Sequence, residues 1–207
     1  MRTSNGIHAA VFDVGGVLIE WDPRHLYRKL LPDDPEAMER FLGTVCTPEW
    51  NLEQDRGRSF AKGVDELSRR HPHAADLIAA YDTRWEEMVP HALPGTPELL
   101  GELRDAGVPC YGLTNFSAEK FPLVQRRFAF LRDFDGVLVS GEEGVVKPDP
   151  EIFRLLTERF DLEPARTLFI DDRIENTDAA ARLGFYSHRF TSAAALHAEL
   201  RELGLLE

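Results

Sequence analysis

Asp13 closes the apolar run Ile7-His8-Ala9-Ala10-Val11-Phe12 and is followed by Val14 and two glycines, Gly15 and Gly16. A carboxylate there has no packing role, and the glycines let the chain turn away from it, so it reads as a reactive group held at the end of a buried strand. Three later segments join it: Leu113-Thr114-Asn115, Lys147-Pro148 and Phe169-Ile170-Asp171-Asp172, the first and third each ending an apolar run in polar groups. A hydroxyl and turn amides at Thr114-Asn115 suit a phosphoryl oxygen, as loops and helix starts generally suit anions. Lys147, kept extended and out of any helix by Pro148, offers a positioned ammonium. Asp13, Asp171 and Asp172 sum to −3 and Lys147 brings this to −2, a charge that one divalent ion cancels. Unneutralised, such carboxylates oppose a phosphate dianion by about 4 kcal/mol per close pair at an effective dielectric near 20. Oxygen ligands beside a phosphate favour Mg²⁺, which retains several waters and uses few carboxylates. Each feature alone has an ordinary explanation: a capped turn at Asp13, an Asx turn at Asn115, a solvated lysine. Their succession along one chain points to a shared site.

These groups need strands to bring them together. Strands are expected over 7–13, 109–114, 136–140, 167–170 and 185–190. Between them the sequence predicts helices that begin near Thr96 and over 118–128, 150–160, 175–183 and 192–203. Strands separated by helices imply right-handed crossovers and a doubly wound, mostly parallel α/β sheet whose strand ends converge on one crevice. From Pro23 to Pro90 no strand-like run occurs. Helical stretches over 36–45, 60–70 and 74–88 carry Phe41, Phe60, Tyr81 and Trp85, and 50–57 reads as a polar link between them. The organisation expected is therefore an α/β core of residues 1–20 and 91–207, with a small all-helical cap, residues 21–90, inserted after the first strand.

The balance of 24 basic against 36 acidic residues gives a net charge of −12, which opposes nucleic acid and anionic membranes as partners. Cys46 and Cys110 are far apart and have no metal-ligand spacing, which indicates a reducing compartment. The apolar stretch 7–19 is too short to span a bilayer and lacks the flanks of a secretory leader, so cytoplasmic residence is the expectation.

The order Asp13, Thr114-Asn115, Lys147, Asp171-Asp172 resembles the haloacid dehalogenase-like superfamily of hydrolases, most of which are magnesium-dependent phosphatases. The first motif, Phe12-Asp13-Val14-Gly15-Gly16-Val17, is similar to that of a branch with a helical cap that includes sugar-phosphate phosphatases. The resemblance implies a Rossmann-like core and hydrolysis of a small phosphorylated metabolite through an aspartyl-phosphate on Asp13. It implies Asp13, the Gly15 carbonyl and Asp172 as ligands of Mg²⁺, with Asp171 one shell out and Asn176 orienting the pair. Thr114, Asn115 and Lys147 would hold the phosphoryl group, and Arg56 in the cap link would touch a substrate hydroxyl or second anion. A solvated Arg56 paired to Asp55 or Glu53 is the plainer reading of that residue.

Gly15 departs from the pattern. Phosphatases of the superfamily usually carry there a second Asp that protonates the leaving alcohol, help typically worth about 10²–10⁴ in rate. Glu20, Asp22, Glu53 and Asp55 are the candidate substitutes, unless a reactive leaving group such as that of a sugar 1-phosphate lightens the need. The same glycine admits a 2-haloacid dehalogenase, which expels halide without a proton, although Asp171-Asp172 would repel a haloacid carboxylate. A low-activity protein that binds a phosphorylated ligand is a third reading.

Overall fold

The computed structural model describes residues 6–207. Strand β1 (Ala9–Phe12) is buried at every position, as four consecutive apolar residues require when both faces of a parallel sheet are covered. With β2 (Cys110–Thr114), β3 (Gly136–Val139), β4 (Thr167–Asp171) and β5 (Tyr186–Arg189) it forms a five-stranded sheet in the order β3-β2-β1-β4-β5, every pairing parallel. Alternate residues of β1 serve opposite faces. Ala10 and Phe12 pack with Leu100 and Leu103 of α6 (Thr96–Asp105) and Leu196 and Leu200 of the helix Ala193–Glu202. Val11 packs on the other side with Ile152, Phe153 and Leu156 of the helix Pro150–Phe160 and Ala179 and Ala180 of the helix Ile174–Arg182. Each fully buried Leu or Phe contributes about 1.5–3 kcal/mol, so the two layers fix the sheet and, through it, the strand ends.

Between β1 and β2 the chain is helical up to α6: α1 (Arg24–Leu30), α2 (Pro35–Thr44), α3 (Pro48–Asp55), α4 (Phe60–Arg70) and α5 (Ala75–Thr83), followed by a 3₁₀ turn over Trp85–Met88. The segment leaves and rejoins the sheet side by side. The Glu20 amide donates to His91 O (3.1 Å), Leu93 to Leu18 O (2.8 Å) and Asp22 to Met88 O (3.0 Å). Its interior is aromatic, with Tyr27 against Phe41 (5.0 Å between rings) and Trp50 edge-on to Tyr81 (5.1 Å).

Two expectations change here. The helix expected over 74–88 stops at Thr83, and a 3₁₀ turn carries Trp85 onto Phe116, with ring centroids 5.4 Å apart. The polar link expected over 50–57 is largely helix α3, capped by the Thr47 hydroxyl, which accepts from the Trp50 amide (3.2 Å), with Pro48 in the first turn. No helix of the described residues is long and apolar enough to cross a membrane.

Candidate active site

Phe12 lies level with Gly112 on one side and Ile170 on the other. Asp13, Thr114 and Asp171 therefore emerge along one edge of the sheet. Lys147 reaches this edge from the segment after the short helix Ser140–Glu143 that follows β3. Its side chain is fully buried, and its ammonium lies 3.0 Å from Asp13 Oδ1 and 2.7 Å from Asp171 Oδ2, while donating to Leu113 O at 2.7 Å. All three N–H groups are thereby engaged. Burial works against the lysine charge, but Asp13 and Asp171 outweigh it and leave its pKa above the usual value. Asn115 fixes the lysine backbone: its Oδ1 accepts from the Lys147 amide (2.8 Å) and its Nδ2 donates to Lys147 O (2.9 Å). Burial pushes the Asp13 carboxyl up to about 7 against the pull of Lys147, with Asp171 and Asp172 adding repulsion.

Oxygens of Asp13, Asp171 and Asp172 lie within 4.8 Å of one another. Asp171 is held by Asn176, whose Nδ2 donates to both of its carboxylate oxygens (2.9 and 3.0 Å), and by the Arg173 amide (2.9 Å). Asp172 is freer, and its pKa is raised by burial and then by Asp171. Gly16 has φ +77°, and a Cβ there would stand 2.7 Å from Asp172 Oδ2. The loop after β1 thus makes room for this carboxylate only because residue 16 has no side chain. An all-oxygen, net-negative cluster of this kind, with Asp13 and Asp171 buried and Asp172 half-buried, fits a hard divalent cation.

The cluster opens into a cavity of about 290 Å³. Asp13, Gly15, Asn115, Lys147, Asp172 and Asn176 lie on its floor, and Trp21, Asn51, Leu52, Asp55, Phe60 and Trp85 from the helical segment face them. Burial raises the Asp55 carboxyl to about 7, opposed by the Ser117 backbone amide.

A model of the haloacid dehalogenase-like hydrolases matches residues 7–184. The chain belongs to that family. A sesquiterpene phosphatase of Aspergillus oryzae is 30% identical over 94% of this hydrolase and 95% of its own length. A phosphoglycolate phosphatase of Nitrosospira multiformis is 29% identical over 89% of this chain and 82% of its own. Among solved structures, a family enzyme of Bacteroides thetaiotaomicron superposes with a TM-score of 0.73 at 27% identity, covering 91% of this chain and 95% of that one. The same enzyme in complex with magnesium and inorganic phosphate gives 0.70 at 25% identity, covering 90% and 95%.

In this hydrolase the residues singled out from sequence at Asp13, Gly15, Asn115, Lys147, Asp171, Asp172 and Asn176 are gathered at one place. Thr114 is buried beside them, and its Oγ1 has no hydrogen-bond partner among the described residues. Arg56 is a correction. It lies one residue beyond the end of α3, where its guanidinium folds back onto Glu53 (3.0 Å) with 47% of the side chain exposed, and it does not line the cavity. Asn51, Phe60, Phe116, Ser117 and Arg173 line the cavity without having been singled out as site residues from sequence. The signal that marks Asn51 is the Thr47-Pro48 cap, which starts α3 and puts Asn51 and Asp55 on one helical face.

Proposed function

We propose that this hydrolase is a magnesium-dependent phosphomonoesterase that works through a phosphorylated Asp13. The observation that carries this reading is the juxtaposition, at the floor of a cavity, of a strand-end carboxylate, a buried ammonium 3.0 Å away and two further aspartates. Asp13 attacks phosphorus in line, the ester oxygen leaves with the alcohol, and water then cleaves the aspartyl-phosphate to release phosphate and restore the carboxylate. Asp13, the Gly15 carbonyl and Asp172 would hold Mg²⁺, with Asp171 fixed behind them by Lys147 and Asn176. Bound there, the cation would neutralise the cluster and the incoming phosphate. Lys147 counters charge beside Asp13. Asn115, on the cavity floor, would receive phosphoryl oxygens, and Thr114, whose buried hydroxyl lies behind the lining without a partner among the described residues, would support that edge. The phosphatase relatives and the magnesium and phosphate bound by the Bacteroides enzyme support the same chemistry. Against a haloacid dehalogenase stands the paired Asp171-Asp172, which would repel a carboxylate substrate.

In this reading residues 21–90 are a cap over the crevice of a core formed by 1–20 and 91–207, and the enzyme acts in the cytoplasm on a small phosphorylated metabolite. Burial of the unpaired Cys46 and Cys110 is in keeping with a reducing compartment. The cap wall of the cavity is mostly apolar: Trp21, Pro48, Leu52, Phe60 and Trp85, with Asn51 and Asp55 as its polar groups. A polyhydroxylated sugar would leave several hydroxyls without partners against such a wall, at a cost of about 1–3 kcal/mol for each one buried unpaired. The lining therefore favours an ester with an apolar organic group over a sugar phosphate.

Release of inorganic phosphate from an aryl phosphate, with and without Mg²⁺, tests the reaction. A panel of prenyl, aryl, short alkyl and sugar phosphates tests the substrate class. Metal-dependent phosphate release, strongest on the apolar esters, is expected. Chloride release from 2-chloropropionate without phosphatase activity would replace the reading.

A further inference from the structure

Position 15 has no side chain, yet an unactivated alcohol leaves phosphorus only when its oxygen is protonated. Among the described residues the carboxylates lining the cavity are Asp13, Asp55 and Asp172, and the first and third belong to the cluster around Lys147. The other acids near the insertion are engaged elsewhere. Glu20 contacts His25 (2.6 Å) and His91 (3.1 Å), Asp22 accepts from the Arg24 amide (2.9 Å), and Glu53 pairs with Arg56 in solvent.

We propose that Asp55 is the general acid and base of the reaction, taking the place of the carboxyl that position 15 lacks. This rests on the phosphatase reading above.

Asp55 is the last residue of α3, and the fold pins that helix end to the core. Its carbonyl accepts from Ser140 Oγ (2.6 Å), and the same hydroxyl oxygen accepts from the Phe116 amide (2.9 Å) in the loop after β2. Two residues on, Gly57 has φ +98°, and a Cβ there would stand 3.0 Å from Gly141 O, so the backbones nearly touch. The side chain is aimed as well. Asn51 Nδ2 donates to Asp55 Oδ2 (3.0 Å), and Asn51 Oδ1 in turn accepts from the buried Tyr81 hydroxyl (3.2 Å).

A carboxyl near 7 supplies both protonation states at neutral pH, as a group that first gives and then takes a proton requires. The ionisable groups around it are Tyr81, kept neutral by burial that raises its pKa well above the usual value, and Asp13, Lys147, Asp172 and Arg173 across the cavity.

The proton balance closes over the two steps. As Asp13 Oδ bonds to phosphorus and the P–O ester bond breaks, the Asp55 proton passes to the departing oxygen and gives the alcohol. Water then attacks the aspartyl-phosphate, its proton returns to Asp55, and the bond from phosphorus to Asp13 breaks to release phosphate.

The test compares two substrates on the full chain with Mg²⁺. One is an alkyl phosphate, whose alcohol needs a proton to leave, and the other is 2,4-dinitrophenyl phosphate, whose phenolate does not. Asp55→Asn is expected to lower kcat/KM for the alkyl ester by about 10²–10⁴-fold, and for the dinitrophenyl ester by at least about tenfold less. Adding Gly15→Asp to that variant is expected to recover alkyl-ester turnover, since a Cβ at position 15 meets nothing within 4 Å. In the wild type, which needs no variant to fold, the ratio of alkyl to dinitrophenyl kcat/KM is expected to fall as pH rises through about 7. Equal losses on both esters, no loss, or a ratio independent of pH overturns the role of Asp55. Failure of the wild type to release phosphate from either ester overturns the phosphatase reading instead.

Discussion

A Cβ placed on Gly16 would stand 2.7 Å from the Oδ2 of Asp172. Backbone and carboxylate are thus matched so closely that the smallest substitution must displace the acid, and the positive φ of Gly16 adds strain for any other residue. Gly16→Ala is expected to raise the Mg²⁺ concentration for half-maximal activity by about tenfold or more, measured by metal titration of phosphate release.

Asp13→Asn removes the nucleophile while keeping its shape. Turnover is expected to fall by at least about 10³-fold, with the circular dichroism spectrum unchanged. Activity near the wild-type level would remove Asp13 from the mechanism.

Asn176 touches Asp171 twice and does not belong to the carboxylate cluster itself. Asn176→Ala is expected to weaken Mg²⁺ binding by about 10–100-fold, seen by calorimetry on the unphosphorylated protein, because Asp171 loses the group that orients it.

Arg56 is an exposed partner of Glu53. Arg56→Ala is expected to change unfolding free energy by less than about 0.5 kcal/mol and kcat/KM by less than about twofold, since exposed ion pairs contribute little. A larger loss of kcat/KM would return the residue to the substrate site.

Asp55 also has a signature in stability. Burial raises its folded pKa to about 7 from an ordinary value of 3.8, so between those limits the native state binds the proton more tightly than the unfolded chain does. Its contribution is therefore fully present below about 4 and is lost as pH rises toward 7, with a slope of at most about 1.4 kcal/mol per pH unit. In urea unfolding from pH 4 to 7, Asp55→Asn is expected to show a smaller decline than the wild type. An identical decline would mean that Asp55 is not held in the buried state described.

The sheet and the aspartate cluster were legible because parallel strands covered on both faces appear as unbroken apolar runs, and Asp13, Thr114 and Asp171 stand where those runs end. Helix α3 was not. Its buried residues are Trp50, Asn51 and Gln54, two of them polar and satisfied by side-chain bonds such as Gln54 Nε2 to Trp50 O (2.8 Å). Hydrophobic periodicity cannot report a helix whose buried face is largely polar. Trp85 was legible as an apolar side chain on a helical stripe, but its second role on the cavity wall arises where helix gives way to a 3₁₀ turn at Arg84, a break that the stripe conceals.

The cavity draws its two halves from different stretches of chain: the carboxylates and lysine come from strand ends and their loops, and the facing aromatic wall from residues 21 to 85. Inheritance can therefore act on them separately. Replacements among Leu52, Phe60 and Trp85 would redirect which alcohol is accepted while the bond-breaking apparatus stays as it is, so one ancestral scaffold could diversify over many esters. The exception is the end of α3, where Ser140 ties the Asp55 carbonyl to the sheet side of the cavity, and a change there would carry a catalytic penalty.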